Sequence, residues 1–380
     1  MKICDVVLNS VWFDPRVRKQ IIEYVNQGVD VVAIGSKCMR YDEEKVNALP
    51  CKTVITRIDE QYYGPQKSFF RKLKRLLLQE KVIVEALLAE KPDIIHANDM
   101  NALIPAYRAS RKLKCKLIYD AHEIFWANFW DGRHFLYSRY LKMQEWFLCR
   151  RVDRLVCVSN TAADYFVSEY NIPRPTVITN CTLRSDRCIS DEKNEGFEVI
   201  NHGMYYSGRG YDIMVEALPY LKEYPEIKLA LRGFGDMEKD LRERAAELGD
   251  ENIRFYPKVL VQELIPMASR AHVGVAITEA ICLNFKLSVS NKLFEYASAG
   301  LPVIMSDIPE HRYLNEKYQF GIIIPDNKPE TFANAVIKMY TDKEFYEKCA
   351  ENARRLADEI NWENEFGKLI ELEKRLVSEK

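Results

Sequence analysis

No two of the 10 cysteines stand at the two-residue gap of a zinc or redox pair, which removes the usual ribbon and thioredoxin-like readings. Cys4, Cys38, Cys51, Cys115, Cys149, Cys157, Cys181, Cys188, Cys282 and Cys349 are scattered instead, most of them in apolar runs such as Leu155-Val156-Cys157-Val158. They read as small buried hydrophobes in a reducing compartment. None of the 6 histidines pairs with another at four residues' distance, so no intrinsic metal site is expected. An excess of one charge is also lacking. Lys and Arg number 55 against 56 Asp and Glu, a formal net charge of -1, and no whole-protein field favours nucleic acid. No apolar run approaches the roughly 18 to 20 residues that span a bilayer, and Asp5 interrupts the N-terminal apolar stretch of a would-be signal peptide. The expected location is the cytoplasm.

What is present is enough apolar surface for two cores: 380 residues, 47% hydrophobic and 29% charged. Short runs rich in Ile, Val and Leu alternate with longer amphipathic ones, beginning with residues 3–8, a helix from Pro15, and residues 29–34. A long helix over about 68–90 follows, then strands at 93–96, 116–119, 154–158 and 176–178 with helices between them. Near-continuous apolar strands separated by helices indicate a parallel sheet covered on both faces. A polar stretch at 184–196 with no hydrophobic period reads as an interdomain linker. The alternation then restarts, with strands expected at 197–201, 228–231, 253–256, 273–277, 302–305 and 321–324. The expectation is an α/β chain of two Rossmann-like, doubly wound domains, 1–185 and 196–359, with a ligand cleft between them. A last helix over 360–380, apolar at Trp362, Phe366, Leu369, Ile370 and Leu372, is expected to return to the first domain.

In parallel sheets, binding groups follow the strand ends. Two first-domain strands end in His96-Ala97-Asn98-Asp99 and Asp120-Ala121-His122-Glu123, which puts imidazole and carboxylate groups on one rim. In the second domain, the strand ending at Asn201 runs through His202-Gly203 to Ser207-Gly208-Arg209-Gly210 ahead of a helix. Such a loop offers backbone N–H groups to a phosphate, and Arg209 adds a forked cation; an ordinary strand-to-helix turn is the competing reading. Arg232-Gly233-Phe234-Gly235 is a second glycine loop. Glu295 lies mid-helix among apolar neighbours in Asn291-Lys292-Leu293-Phe294-Glu295-Tyr296, just ahead of Gly300-Leu301-Pro302-Val303. A solvated face residue or a functional carboxylate both fit that position.

Taken with Asp14-Pro15-Arg16-Val17-Arg18, Asp93-Ile94-Ile95-His96, Val158-Ser159, Asn180 and Asn252-Ile253, these segments run along nearly the whole chain in an order that resembles glycosyltransferase family 4. The resemblance implies the GT-B fold and a retaining, metal-independent transferase whose co-substrate is a UDP- or GDP-sugar. By position, Glu295 matches the glutamate that accepts hydrogen bonds from the ribose hydroxyls, and Arg209 the basic residue on the diphosphate. Lys292 is a second phosphate contact in this reading, His122 the histidine at the donor sugar, and Gly203 and Gly233 the loops closest to the nucleotide. The first domain becomes the acceptor side and the second the nucleotide-sugar side, in cell-surface polysaccharide or glycoconjugate synthesis. Three positions depart from the family pattern. Leu287 stands where a first glutamate often precedes Glu295, Met204 where an arginine often follows the glycine, and the first loop, Asn9-Ser10-Val11-Trp12-Phe13, lacks paired glycines. A nucleotide-sugar epimerase of the same fold, or a non-catalytic sensor, remains an alternative. Residues 66–78 mix cations with bulky apolar residues, either to dock on an anionic membrane beside a lipid-linked acceptor or simply as an amphipathic surface helix.

Overall fold

The computed structural model describes residues 1–9, 11–12, 14–36, 48–58, 69–129, 135–249 and 251–379. Ser10 and Phe13 of the first loop, and residues 66–68 of the cationic stretch, lie outside the described residues, as does the side chain of Lys72. The chain divides into two compact units, Met1–Ile178 with Phe366–Lys380, and Thr179–Glu365.

In chain order the first unit contains β1 (Lys2–Val7), α1 (Pro15–Asn26), β2 (Asp30–Ser36), β3 (Lys52–Thr56), α2 (Phe69–Glu90), β4 (Ile94–Asn98), α3 (Asp99–Leu113), β5 (Lys116–Ala121), α4 (Phe135–Cys149), β6 (Arg154–Cys157), α5 (Asn160–Tyr170) and β7 (Thr176–Val177). The seven strands are parallel in the order β3-β2-β1-β4-β5-β6-β7. The order reverses between β1 and β4, the switch point at which such sheets open a crevice at their carboxyl ends. β1 and β4 are buried on nearly every residue, as their apolar runs require. α1 starts where Pro15 occupies the first helical position and the Asp14 carboxylate accepts from the N–H groups of Arg16 and Val17, so Asp14 is the helix cap.

The second unit holds β8 (Phe197–Met204), α6 (Tyr211–Glu216), β9 (Ile227–Phe234), α7 (Glu238–Leu248), β10 (Ile253–Tyr256), α8 (Val261–Ala268), β11 (Val273–Ala276), α9 (Leu283–Leu287), α10 (Asn291–Ser298), β12 (Val303–Ser306), α11 (Pro309–Tyr318), β13 (Gly321–Ile324), α12 (Pro329–Thr341) and α13 (Lys343–Glu359). Its six parallel strands run β10-β9-β8-β11-β12-β13, and the switch point lies between β8 and β11. α14 (Trp362–Ser378) carries the chain out of this unit and into the first. Trp362, Phe366 and Leu369 on it are fully buried. Both units are doubly wound parallel α/β domains of the GT-B type.

Three elements lie outside the alternation read from the sequence. β3 is a half-exposed edge strand, so its residues lack the continuous apolar run of a central one. α9 has only five residues, and α11, PEHRYLNEKY, is mostly polar; neither has the apolar period that marks a helix. Among the described residues, no helix is long and apolar enough to cross a membrane.

Candidate functional site

In the second unit, the expected residues meet at the switch point. The segment after β8 turns back through Gly208 and Gly210, both at positive φ. A Cβ on Gly210 would stand 2.5 Å from Ile277 at the end of β11, so glycine is what lets the loop come this close. That approach puts Arg209 over the neighbouring strand end. Its Nη1 donates to Thr278 Oγ1 at 3.3 Å, its Nε donates to Tyr206 Oη at 3.0 Å, and its guanidinium lies 4.5 Å from the Phe285 ring centroid.

α10 reaches the same place because Gly274 of β11 leaves room for the Tyr296 ring to lie directly on the strand: a Cβ on Gly274 would stand 2.2 Å from that ring. The Tyr296 hydroxyl accepts from the His202 N–H at 3.0 Å, tying α10 to the end of β8. With the helix so placed, Glu295 Oε2 pairs with His202 Nε2 at 2.7 Å, and Lys292 Nζ donates to Asn201 Oδ1 at 2.6 Å. Lys292 also lies 4.9 Å from the ring centroid of Tyr211, whose hydroxyl is 3.4 Å from Nζ. Burial lowers the Lys292 ammonium to about 7; Arg209 adds to that shift and Glu295 opposes it. Two cations close enough to repel, set among glycine turns at a parallel-sheet switch point, suit an anion carrying more than one charge.

Gly203 and Gly233 are partners in register on β8 and β9. A Cβ on Gly233 would sit 1.8 Å from the Gly203 carbonyl oxygen, and one on Gly203 would come within 3.6 Å of Lys292 Cε. Both glycines therefore keep the strand ends thin beside the cations. Leu287 is the last residue of α9, and Met204 is 54% exposed; neither brings charge to the cluster.

In the first unit, His122 follows β5 and meets the end of β4. Its Nε2 is 3.0 Å from Asn98 Oδ1, its Nδ1 is 3.6 Å from Asp99 Oδ2, and its backbone N–H donates to Asp99 Oδ1 at 3.1 Å. Asp99 takes positive φ, 64°, to make that turn. Burial raises its carboxyl to about 6, against the pull of His122. Behind His122 lies a buried ionic network. Asp120 receives Arg16 through three hydrogen bonds of 2.8 to 3.0 Å, and His96 bridges Asp120 Oδ2 at 3.4 Å to Glu373 Oε1 on α14 at 3.3 Å. The Tyr24 hydroxyl also donates to Glu373. Burial alone would raise Asp120, but Arg16, His122 and His96 outweigh it and hold the carboxyl well below its ordinary value. His96, which burial alone would lower, is raised to about 10 by Asp120 and Glu373.

All six expected site residues thus lie at sheet carboxyl ends, five in the second unit and His122 in the first. Asn201, Tyr211 and Thr278, as partners of the cations, and His202, as partner of Glu295, were not singled out by sequence reasoning. The sequence signal for the first two existed: both flank the glycine loop. Thr278 carries none until β8 and β11 are known to be neighbours.

The family description Glycosyltransferase Family 4 matches residues 16–182, and Glycosyl transferases group 1 matches residues 196–342. The chain belongs to glycosyltransferase family 4, group 1. Among curated relatives of this family-4 chain is D-rhamnosyltransferase WbpZ of Pseudomonas aeruginosa, 26% identical over 150 residues, 39% of this chain and 37% of that protein. The match therefore spans well under half of that relative's length. Among solved structures, sucrose-phosphate synthase from Thermosynechococcus elongatus superposes with a TM-score of 0.79 at 16% identity, covering 100% of both chains. Anabaena Alr3699/HepE in complex with UDP gives 0.77 at 16% identity, covering 99% of this chain and 100% of that one. Both likenesses are of fold.

Proposed function

We propose that this family-4 chain is a retaining glycosyltransferase that moves a sugar from a nucleoside-diphosphate sugar to a glycan or lipid-linked acceptor in cell-surface polysaccharide or glycoconjugate synthesis. The observation that carries this reading is the convergence of Arg209 and Lys292 beside Gly203 and Gly233, with Glu295 one turn further along the helix of Lys292. Charge develops on the departing diphosphate as its bond to the sugar breaks. Arg209, Lys292 and the loop amides stabilise that charge in place of a metal ion. Glu295, held by His202, accepts the ribose hydroxyls, and His122 stabilises the oxocarbenium-like sugar while the acceptor attacks from the face the diphosphate leaves. UDP is the first nucleotide to try, since Anabaena HepE was solved with UDP; GDP is the second. In the same reading the cationic stretch 66–78 meets an anionic membrane.

The test is a thermal-shift panel of UDP, GDP and their sugars, followed by turnover of the best donor. A ligand that binds only the folded state raises the melting temperature. Losing one preorganised donor of charge stabilisation typically costs about 2.7 to 4 kcal/mol of barrier, so Arg209→Ala is expected to slow turnover roughly a hundredfold or more. His122→Ala is expected to reduce turnover more than donor affinity. Unchanged turnover in Arg209→Ala removes that residue from its role, and an epimerised donor in an acceptor-free incubation replaces transfer with the epimerase reading.

A further inference from the structure

α4 is apolar on both its inner and its outer face. Its inward face carries Ser138, Leu141, Glu145, Leu148 and Cys149, all buried. The Glu145 carboxylate is held there by the hydroxyls of Tyr119 at 2.7 Å and Tyr170 at 2.6 Å. At 100° per residue, the opposite face is the stripe Leu136, Tyr140, Met143 and Phe147. Those four side chains are 82%, 48%, 57% and 39% exposed. Soluble helices put such a stripe against the core and their polar residues outside. Here a second apolar stripe is left outside in addition to the buried one, and contiguous exposed apolar surface marks a place where something binds.

The flanks of the stripe are cationic. Arg139 lies over Phe135, Arg150 over Trp146 and Arg151 over Phe147, with the guanidinium carbons 5.6, 4.0 and 3.4 Å from the ring centroids. Glu145 is the one acidic residue in α4, and it is fully buried. The outer face therefore presents aromatics, leucine and methionine interleaved with positive charge, with no carboxylate of its own. A second copy of the chain is a poor occupant, because a two-fold contact would set these arginines against themselves. An anionic lipid surface complements both features: the rings and Leu136 enter the headgroup boundary while the arginines meet phosphate.

We infer that the outer face of α4 is a docking surface for an anionic lipid bilayer. This site is distinct from the cationic stretch of α2, where Phe70 and Leu77 are also exposed, and it does not rest on the transfer reading.

The full chain is sedimented with vesicles of phosphatidylcholine alone and of equimolar phosphatidylcholine and phosphatidylglycerol, at low and high salt. Wild type is expected to bind only the anionic vesicles, with binding weakened by salt. The Leu136→Ser/Met143→Ser variant and, separately, Arg139→Gln/Arg150→Gln are each expected to lose about tenfold or more in partitioning. An unchanged melting curve shows that the variants are folded, and Trp146→Phe should diminish the vesicle-induced blue shift of tryptophan emission. Several outcomes overturn the inference: no binding by wild type, equal binding to neutral vesicles, or α4 variants that bind like wild type. It also fails if binding is lost only in Phe70→Ser/Leu77→Ser, which assigns docking to α2, or if lipid-free protein dimerises through a contact that Leu136→Ser/Met143→Ser abolishes. The melting shift with UDP is measured on the same proteins. Its absence counts against the donor reading and leaves the vesicle result standing.

Discussion

Lys292 is an ammonium lowered to about 7 by burial and by Arg209, and its pairing with Asn201 does not neutralise the repulsion between the two cations. A diphosphate placed beside it favours the charged form. Binding at a pH above about 7 should therefore take up a proton, and affinity should fall as the pH rises through that value. Calorimetry of UDP binding in two buffers of different ionisation enthalpy reads the uptake directly. Lys292→Met is expected to abolish it, and absence of uptake in wild type would move the phosphate contact elsewhere. This residue's type and place in the motif were legible in the sequence, whereas its environment was not. Asn201 lies 91 positions away and Arg209 83, and both arrive only because α10 is drawn onto β11 at Gly274.

At the scale of elements, the paired glycines decide how closely the strand ends approach. Gly233→Ala puts a methyl 1.8 Å from the Gly203 carbonyl oxygen, and a backbone atom cannot rotate away as a side chain does. Overpacking of this kind costs about 1 to 3 kcal/mol, to be read by urea titration, and the displaced Gly203 should weaken UDP binding as well. A variant as stable as wild type would show that β8 and β9 separate freely at this level. Most elements were legible as alternating apolar and amphipathic runs, because burial on both faces of a parallel sheet leaves a period that a single sequence displays. β3, α9 and α11 were not, since an edge strand, a single turn and a mostly polar helix leave none. The outward apolar stripe of α4 was hidden for a related reason. A helix with an apolar outer stripe and one buried carboxylate has the same composition as an ordinary one, and only the partners of Glu145 show which side is inside.

Across the whole molecule, the C-terminal helix contributes charge to the buried ionic network of the first unit. Glu373 is fully buried between Tyr24 and His96. Glu373→Ala leaves the His96 cation without one of its two carboxylates and is expected to cost about 3 to 5 kcal/mol, as for other broken buried pairs; Glu373→Gln should cost less. The pH dependence has a definite sign. Since His96 is raised from 6.5 to about 10, its contribution is fully present below the lower value and lost as the pH rises through the upper one. Urea titrations of wild type and His96→Asn should differ most below that window and converge above it, whereas a constant difference would mean that His96 is neutral when folded.

The sequence by itself determined the two α/β halves, the turns that bear glycine, and the family, because strand burial, helix caps and loop chemistry are local and recur in order along the chain. Only the tertiary structure decided that His202 answers Glu295, that Thr278 answers Arg209, that α14 supplies Glu373 to the first sheet, and which face of α4 meets solvent. Those pairings join residues tens to hundreds of positions apart, and strand order and helix rotation, which no local pattern encodes, bring them into contact.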